Sequence, residues 1–138
     1  MKKYVVIGAA LIALAISARE SAMNASTNAQ RPINASLVQL IANPKEFDGK
    51  FVRVIGFVSV EFEGTAVYLH QDDYKYDITN NGLWLDMDFE KQKQFNRRYV
   101  LIEGTFDAEY HGHRGLFSGT IMDIKRLQVW AEPGRNRD

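Results

Sequence analysis

No cysteine occurs among the 138 residues. Disulfides, thiolate metal sites, a Cys nucleophile and a lipid-modified N-terminal Cys are therefore excluded. An excess of one charge sign is also missing, because 17 Lys and Arg balance 17 Asp and Glu. Without the first 18 residues, which hold Lys2 and Lys3, the net charge is −2, which argues against a strongly basic nucleic-acid binder. The longest apolar run, residues 4–16, is shorter than the roughly 20 residues a helix needs to cross a membrane. G-x-S-x-G, glycine-rich phosphate loops and dinucleotide fingerprints are absent, and Ser59 and Ser118 have no recognisable His/Asp partners. Nucleophilic and nucleotide chemistry thus have no support, and no cofactor is expected.

What is present begins with a leader. Lys2 and Lys3 precede the apolar run, and small residues follow at Ala13, Ala15 and Ala18. Residues 1–18 therefore read as a secretory signal peptide, which predicts export to a periplasm or beyond and leaves no span after processing. Residues 19–35 lack apolar periodicity, are rich in Asn, Ser and Ala, and read as a flexible tether. The folded domain is expected over 36–131, with a disordered tail over 132–138.

Ser36-Leu37-Val38-Gln39 is a capping-box pattern, and Leu37, Leu40 and Ile41 share one helical face. Pro44 limits that helix to about residues 37–42. From Lys50 the period becomes two. Val52, Val54, Val58 and Val60 alternate with Phe51, Arg53, Ile55 and Phe57 in a first strand, interrupted at Gly56, where a bulge or sharp bend is expected. Further strands are predicted over 66–70, 83–89, 99–110 and from about 116 to 130, the last with an irregularity at Lys125-Arg126. The polar segment 90–96 reads as a short helix or turn. Residues 51–64 align without gaps on 99–112, with Gly56 matching Gly104.

These elements give a mainly-β fold: a five-stranded OB-like barrel with a short N-terminal helix and a short helix between strands 3 and 4. The stretches FDGKFVRVIGFVSVEFEGTAVYLHQDDY, NGLWLDM and YVLIEGTFDAEYHGHRGLFSGTI resemble exported bacterial OB-fold proteins of the periplasmic OB-fold and tRNA-anti-like groups. The resemblance covers residues 36–130 and implies a fold and a binding role, with no catalytic signature.

Three constellations remain. Residues 61–90 hold eight acids against Lys75 alone, a local net of −7. With the long loop 70–82 they suggest an acidic surface for an envelope protein or other cationic partner, using Asp72, Asp73, Tyr74, Asp77 and Asp86. Tyr68 and Trp84 point away from the apolar stripes, as Phe57 and Tyr99 do. With the basic residues of 91–138 they would suit an oligonucleotide or oligosaccharide. His70, His111 and His113 are weak metal candidates, because Gly112 and Gly115 place the last two in a turn where the rings need not converge. The leading expectation is a non-enzymatic exported binding module.

Overall fold

The computed structural model describes residues 30–131. The expected leader (1–18), most of the expected tether (19–29) and the expected tail (132–138) lie outside the described residues. Every element below lies between Ile33 and Ala131.

Strand β1 (Ile33–Asn34) pairs in parallel with β2 (Phe51–Ser59), Ile33 opposite Val52. The last residues assigned to a tether are thus an edge strand. Ala35 N–H donates to the Arg53 carbonyl at 3.0 Å, and the Arg53 guanidinium donates to Asn34 Oδ1 at 3.3 Å. Backbone pairing of this kind leaves no hydrophobic period in the sequence.

Helix α1 (Leu37–Ala42) starts on the capping box. Gln39 N–H donates to Ser36 Oγ at 3.2 Å, and Ser36 N–H donates to Gln39 Oε1 at 2.9 Å. Helix α2 (Pro44–Phe47) follows at once, with Pro44 in the first turn, where a missing N–H is harmless. Next come β3 (Ala66–Tyr68), α3 (Gln71–Lys75), β4 (Gly82–Leu85), a 3₁₀ segment Glu90–Phe95, β5 (Arg98–Asp107) and β6 (Thr120–Ala131).

The strand order is β1-β2-β3-β4-β6-β5, and β2 also pairs with β5. That second pairing closes β2-β3-β4-β6-β5 into a five-stranded barrel, antiparallel except for β4 with β6. The architecture is an OB-like barrel carrying one extra edge strand. The 3₁₀ segment occupies the place of the helix expected between barrel strands 3 and 4.

Val52, Val54, Val58, Val67, Leu83, Leu85, Val100, Ile102, Phe106 and Ile121 fill the interior, joined by Leu37 and Leu40 of α1. Each such side chain contributes about 1.5–3 kcal/mol by leaving water. Strand β4 ends earlier than its alternation predicts, and Met87 and Phe89 pack half-buried against the core from the connection that follows.

The internal echo has a geometric explanation. Its two copies are β2 and β5, which pair with each other, Phe51 opposite Thr105 and Val58 opposite Arg98. A Cβ at Gly56 would lie 2.5 Å from Val67 Cγ2, 2.6 Å from Leu37 Cδ1 and 2.7 Å from the Tyr68 carbonyl oxygen. At Gly104 it would lie 2.7 Å from Ile121 Cγ2 and 2.8 Å from the Met122 carbonyl oxygen. Each long strand is bare where a neighbour crosses it. The irregularity expected at Lys125-Arg126 begins slightly earlier, between Met122 and Arg126, with Asp123 at φ 48°.

Gly56→Ala and Gly104→Ala should therefore each cost about 1–3 kcal/mol by overpacking. Urea titration of the purified chain would show lowered midpoints with the fold retained. An unchanged midpoint for both would contradict this packing.

Candidate functional site

In an OB-like barrel the outer face of barrel strands 2 and 3 and the adjoining loops are the customary contact region. Here that face is β3 and β4, flanked by the β2–β3 loop (60–65) and the β5–β6 loop (108–119). The chain covers it with its own aromatic side chains. Phe117, from the β5–β6 loop, lies 6.1 Å from the Tyr68 ring and 5.7 Å from the Trp84 ring. Tyr74, from α3, lies 5.8 Å from both Tyr68 and Phe57, and Phe57 meets Tyr99 edge-on at 5.6 Å. Tyr68 is only 5% exposed. The open stacking face expected of Tyr68 is thus already filled, and Trp84 is half-buried beside it.

The His111-Gly112-His113 turn belongs to the same cover. Gly112 adopts φ 68°, and a Cβ there would fall 2.6 Å from Trp84 Cγ. The turn lies flat on the indole. His111 Nδ1 meets the Phe117 carbonyl at 2.8 Å, and His113 Nε2 meets Glu63 Oε2 at 3.6 Å, joining the two loops. His70 stands apart, just before α3. Among the described residues no three His, Asp or Glu side chains gather as a metal site.

The acidic segment does not form one surface. Asp88 pairs with Lys91 at 3.0 Å and Glu90 with Lys93 at 2.5 Å, so bases just beyond the segment neutralise its end. The hydrogen bond from Lys91 holds Asp88 below the usual carboxylate range. Asp73 is buried and serves the fold, its carboxylate accepting from His70 N–H at 3.0 Å and Asn81 Nδ2 at 2.8 Å. That bond caps α3 and ties it to the turn before β4. Glu61 accepts the Tyr74 hydroxyl at 2.6 Å. Asp72, Asp77 and Asp86 keep exposed carboxylates, Asp86 at the end of β4 and the other two on and beside α3.

Between α3 and the β2 end of the barrel lies a cleft of about 390 Å³, its walls including Phe57, Glu61, Gln71, Tyr74, Asp77 and Arg97. The Arg97 guanidinium sits 5.8 Å from the Tyr74 ring centroid. Asp77 and Arg97 hold left-handed backbone, φ 55° and 58°, which costs free energy for residues other than glycine. Burial, then Glu61 and Asp77, push the Tyr68 phenol from its ordinary 10 up to about 12. Glu61 and Asp77 thus act on a buried phenol near the cleft, whose walls carry the cations Lys75 and Arg97 as well. Beside it, Tyr76 is 65% and Ile78 44% exposed.

Ser59 lies on the same β2 face, between Phe57 and Glu61. It is fully buried, and its hydroxyl has no hydrogen-bond partner. Sequence reasoning passed over Ser59, Glu61, Arg97 and Phe117 as individual site residues. The Phe57, Ser59, Glu61 alternation was the available signal for two of them, whereas Arg97 and Phe117 arrive from distant loops with no local pattern. Comparison with protein-family models and with curated proteins returns no match. The geometry carries the functional reading.

Two outcomes follow from this arrangement. Asp73→Ala, which strands a backbone and an amide donor, should cost about 1–3 kcal/mol, whereas Ser59→Ala should leave stability unchanged or raised. Denaturant melts of the pair test the contrast, and equal losses would contradict it. Because Tyr68 is raised in the folded state, its contribution is complete below pH 10 and disappears as pH rises towards 12. Wild type should lose stability over that interval more steeply than Tyr68→Phe, and parallel pH profiles would refute the assignment.

Proposed function

We propose that the protein is a non-enzymatic binding module exported to the bacterial cell envelope, and that the shoulder formed by α3 and residues 76–78 receives a protein partner presenting cationic side chains. The observation that carries this reading is the juxtaposition of exposed Tyr76 and Ile78 with the exposed carboxylates of Asp72 and Asp77. Apolar and aromatic anchors beside charged groups are the composition of protein-contact patches. The carboxylates would steer a basic partner and fix its register. Export rests on the leader sequence, residues 1–18, and the binding role on the barrel, which exposes no catalytic constellation among the described residues.

Asp73 and Tyr68 have supporting roles in this reading: one holds α3 in place and the other forms the floor beneath Tyr74. Tyr74 and Trp84 likewise belong to the cover over β3 and β4.

The test places a photo-crosslinking amino acid at Tyr76, and separately at exposed Val38 on α1, in the full chain produced in its own cell envelope. A discrete adduct is expected from position 76 and none from 38. Asp72→Lys combined with Asp77→Asn should remove it, with Asn chosen because it tolerates the left-handed backbone at 77. Identical adducts from both positions, or an adduct indifferent to the charge changes, would overturn the proposal.

A further inference from the structure

A second opening lies at the other side of the barrel. Strand β6 runs for 12 residues, and β5 pairs with it as far as Ala131. Its opposite edge meets β4 only at Thr120 and Ile121. From Met122 onward that edge has no strand beside it among the described residues. Asp86 N–H still donates to the Ile121 carbonyl at 3.0 Å, but from Met87 onward the chain to β5 passes the gap without a backbone hydrogen bond to β6 among the described residues: Met87 N–H returns to Leu85, Gln92 to Phe89, Asn96 to Lys93, and Arg97 crosses to Val58. A slot of about 590 Å³ is left between this connection and β6 residues 123–127. Five residues of strand span roughly 13 Å between first and last Cα, so the slot has the dimensions of a short extended segment.

Its chemistry is specific. Phe95, Met87, Ile124 and Leu127 contribute half-buried apolar surface. Asp86 and Asp123 bring carboxylates with no hydrogen-bonding or ionic partner among the described residues, and Lys125 brings an ammonium to the same lining. Arg126, by contrast, is committed to Glu103 at 3.2 Å and to Gln128. We infer that this slot takes an extended peptide segment of a partner protein, added as a strand along β6, with an apolar side chain over Leu127 and a Lys or Arg between Asp86 and Asp123. Unpaired strand edges capture added strands through main-chain hydrogen bonds, and side-chain pockets then set specificity. The bulge at Asp123 and the charge of Lys125 discourage indiscriminate edge pairing, so the entering segment must satisfy the carboxylates as well as the backbone. This surface is independent of the α3 shoulder and stands whether or not that shoulder binds.

The probes are three fluorescein-labelled synthetic heptapeptides: alternating Val and Lys, alternating Val and Glu, and the Val–Lys peptide with alternate amides N-methylated. Fluorescence polarisation with the full chain should show saturable binding of the Val–Lys peptide. Binding should be about tenfold weaker for the Val–Glu and N-methylated forms, each loss being worth about 1.4 kcal/mol. Asp86→Asn with Asp123→Asn should weaken the Val–Lys peptide similarly, thermal melts confirming that the variant folds. Amide shifts in two-dimensional NMR should centre on residues 123–127. No saturable binding, binding insensitive to N-methylation or to the Asn variant, or shifts centred on α3 would each overturn the inference.

Discussion

Within the barrel one strand joins the first and last of the ladder. β2 pairs with β3 through Phe57–Ser59 and with β5 along Phe51–Val58, and the second ladder closes the barrel. Without it the remaining strands would form an open sheet with Val52, Val54, Val100 and Ile102 facing water. The closure requires neighbours to cross β2 and β5 at close range, and Gly56 and Gly104 provide that room. It also fixes which end of the barrel receives each loop, and so where every candidate contact residue lies.

Closure explains why the customary contact face is not open. Once β3 and β4 are locked between β2 and β6, their outer side chains Ala66, Tyr68 and Trp84 form a second apolar surface, which Phe117 and Tyr74 cover. Edge-on aromatic packing of this kind is worth about 0.5–1.5 kcal/mol per pair beyond burial. The cover leaves two openings outside it, the polar shoulder at α3 and the seam where β6 outruns β4, and these are the surfaces proposed for partners. The left-handed residues Asp77, Arg97 and Asp123 sit at these two places, and Glu63 and Arg114 sit in the loops that close over Trp84. Strain concentrated at openings, with a relaxed interior, is the pattern expected where contact geometry matters more than stability.

Much of the fold was legible because it rests on local or periodic signals. The capping box located α1 residue for residue and alternation revealed the barrel strands, whereas the matched glycines suggest two similar bent hairpins and only the structure shows that the two strands pair with each other. Strand ends were less legible: Met87 and Phe89 continue the alternation of β4 although the chain has left the ladder. The two-residue β1 and the single-turn α3 carry no period at all. At the candidate site, charge counting singled out residues 61–90 but not how the fold divides them. Whether Asp73 caps a helix or Asp88 meets Lys91 depends on backbone direction, which a tally of acids does not contain. Phe117 reaches Tyr68 and Trp84 only through the closed topology, so no spacing along the chain could announce it.

The face of β3 and β4 is closed only if the aromatic cover is in place in the free protein. Nuclear Overhauser contacts between the ring protons of Phe117 and those of Tyr68 and Trp84, recorded without any added ligand, test it directly. Ring centroids at 6.1 and 5.7 Å predict clear cross-peaks to both partners. Their absence, with Phe117 showing the shifts of a solvent-exposed ring, would mean that the face of β3 and β4 is open and that recognition belongs there instead.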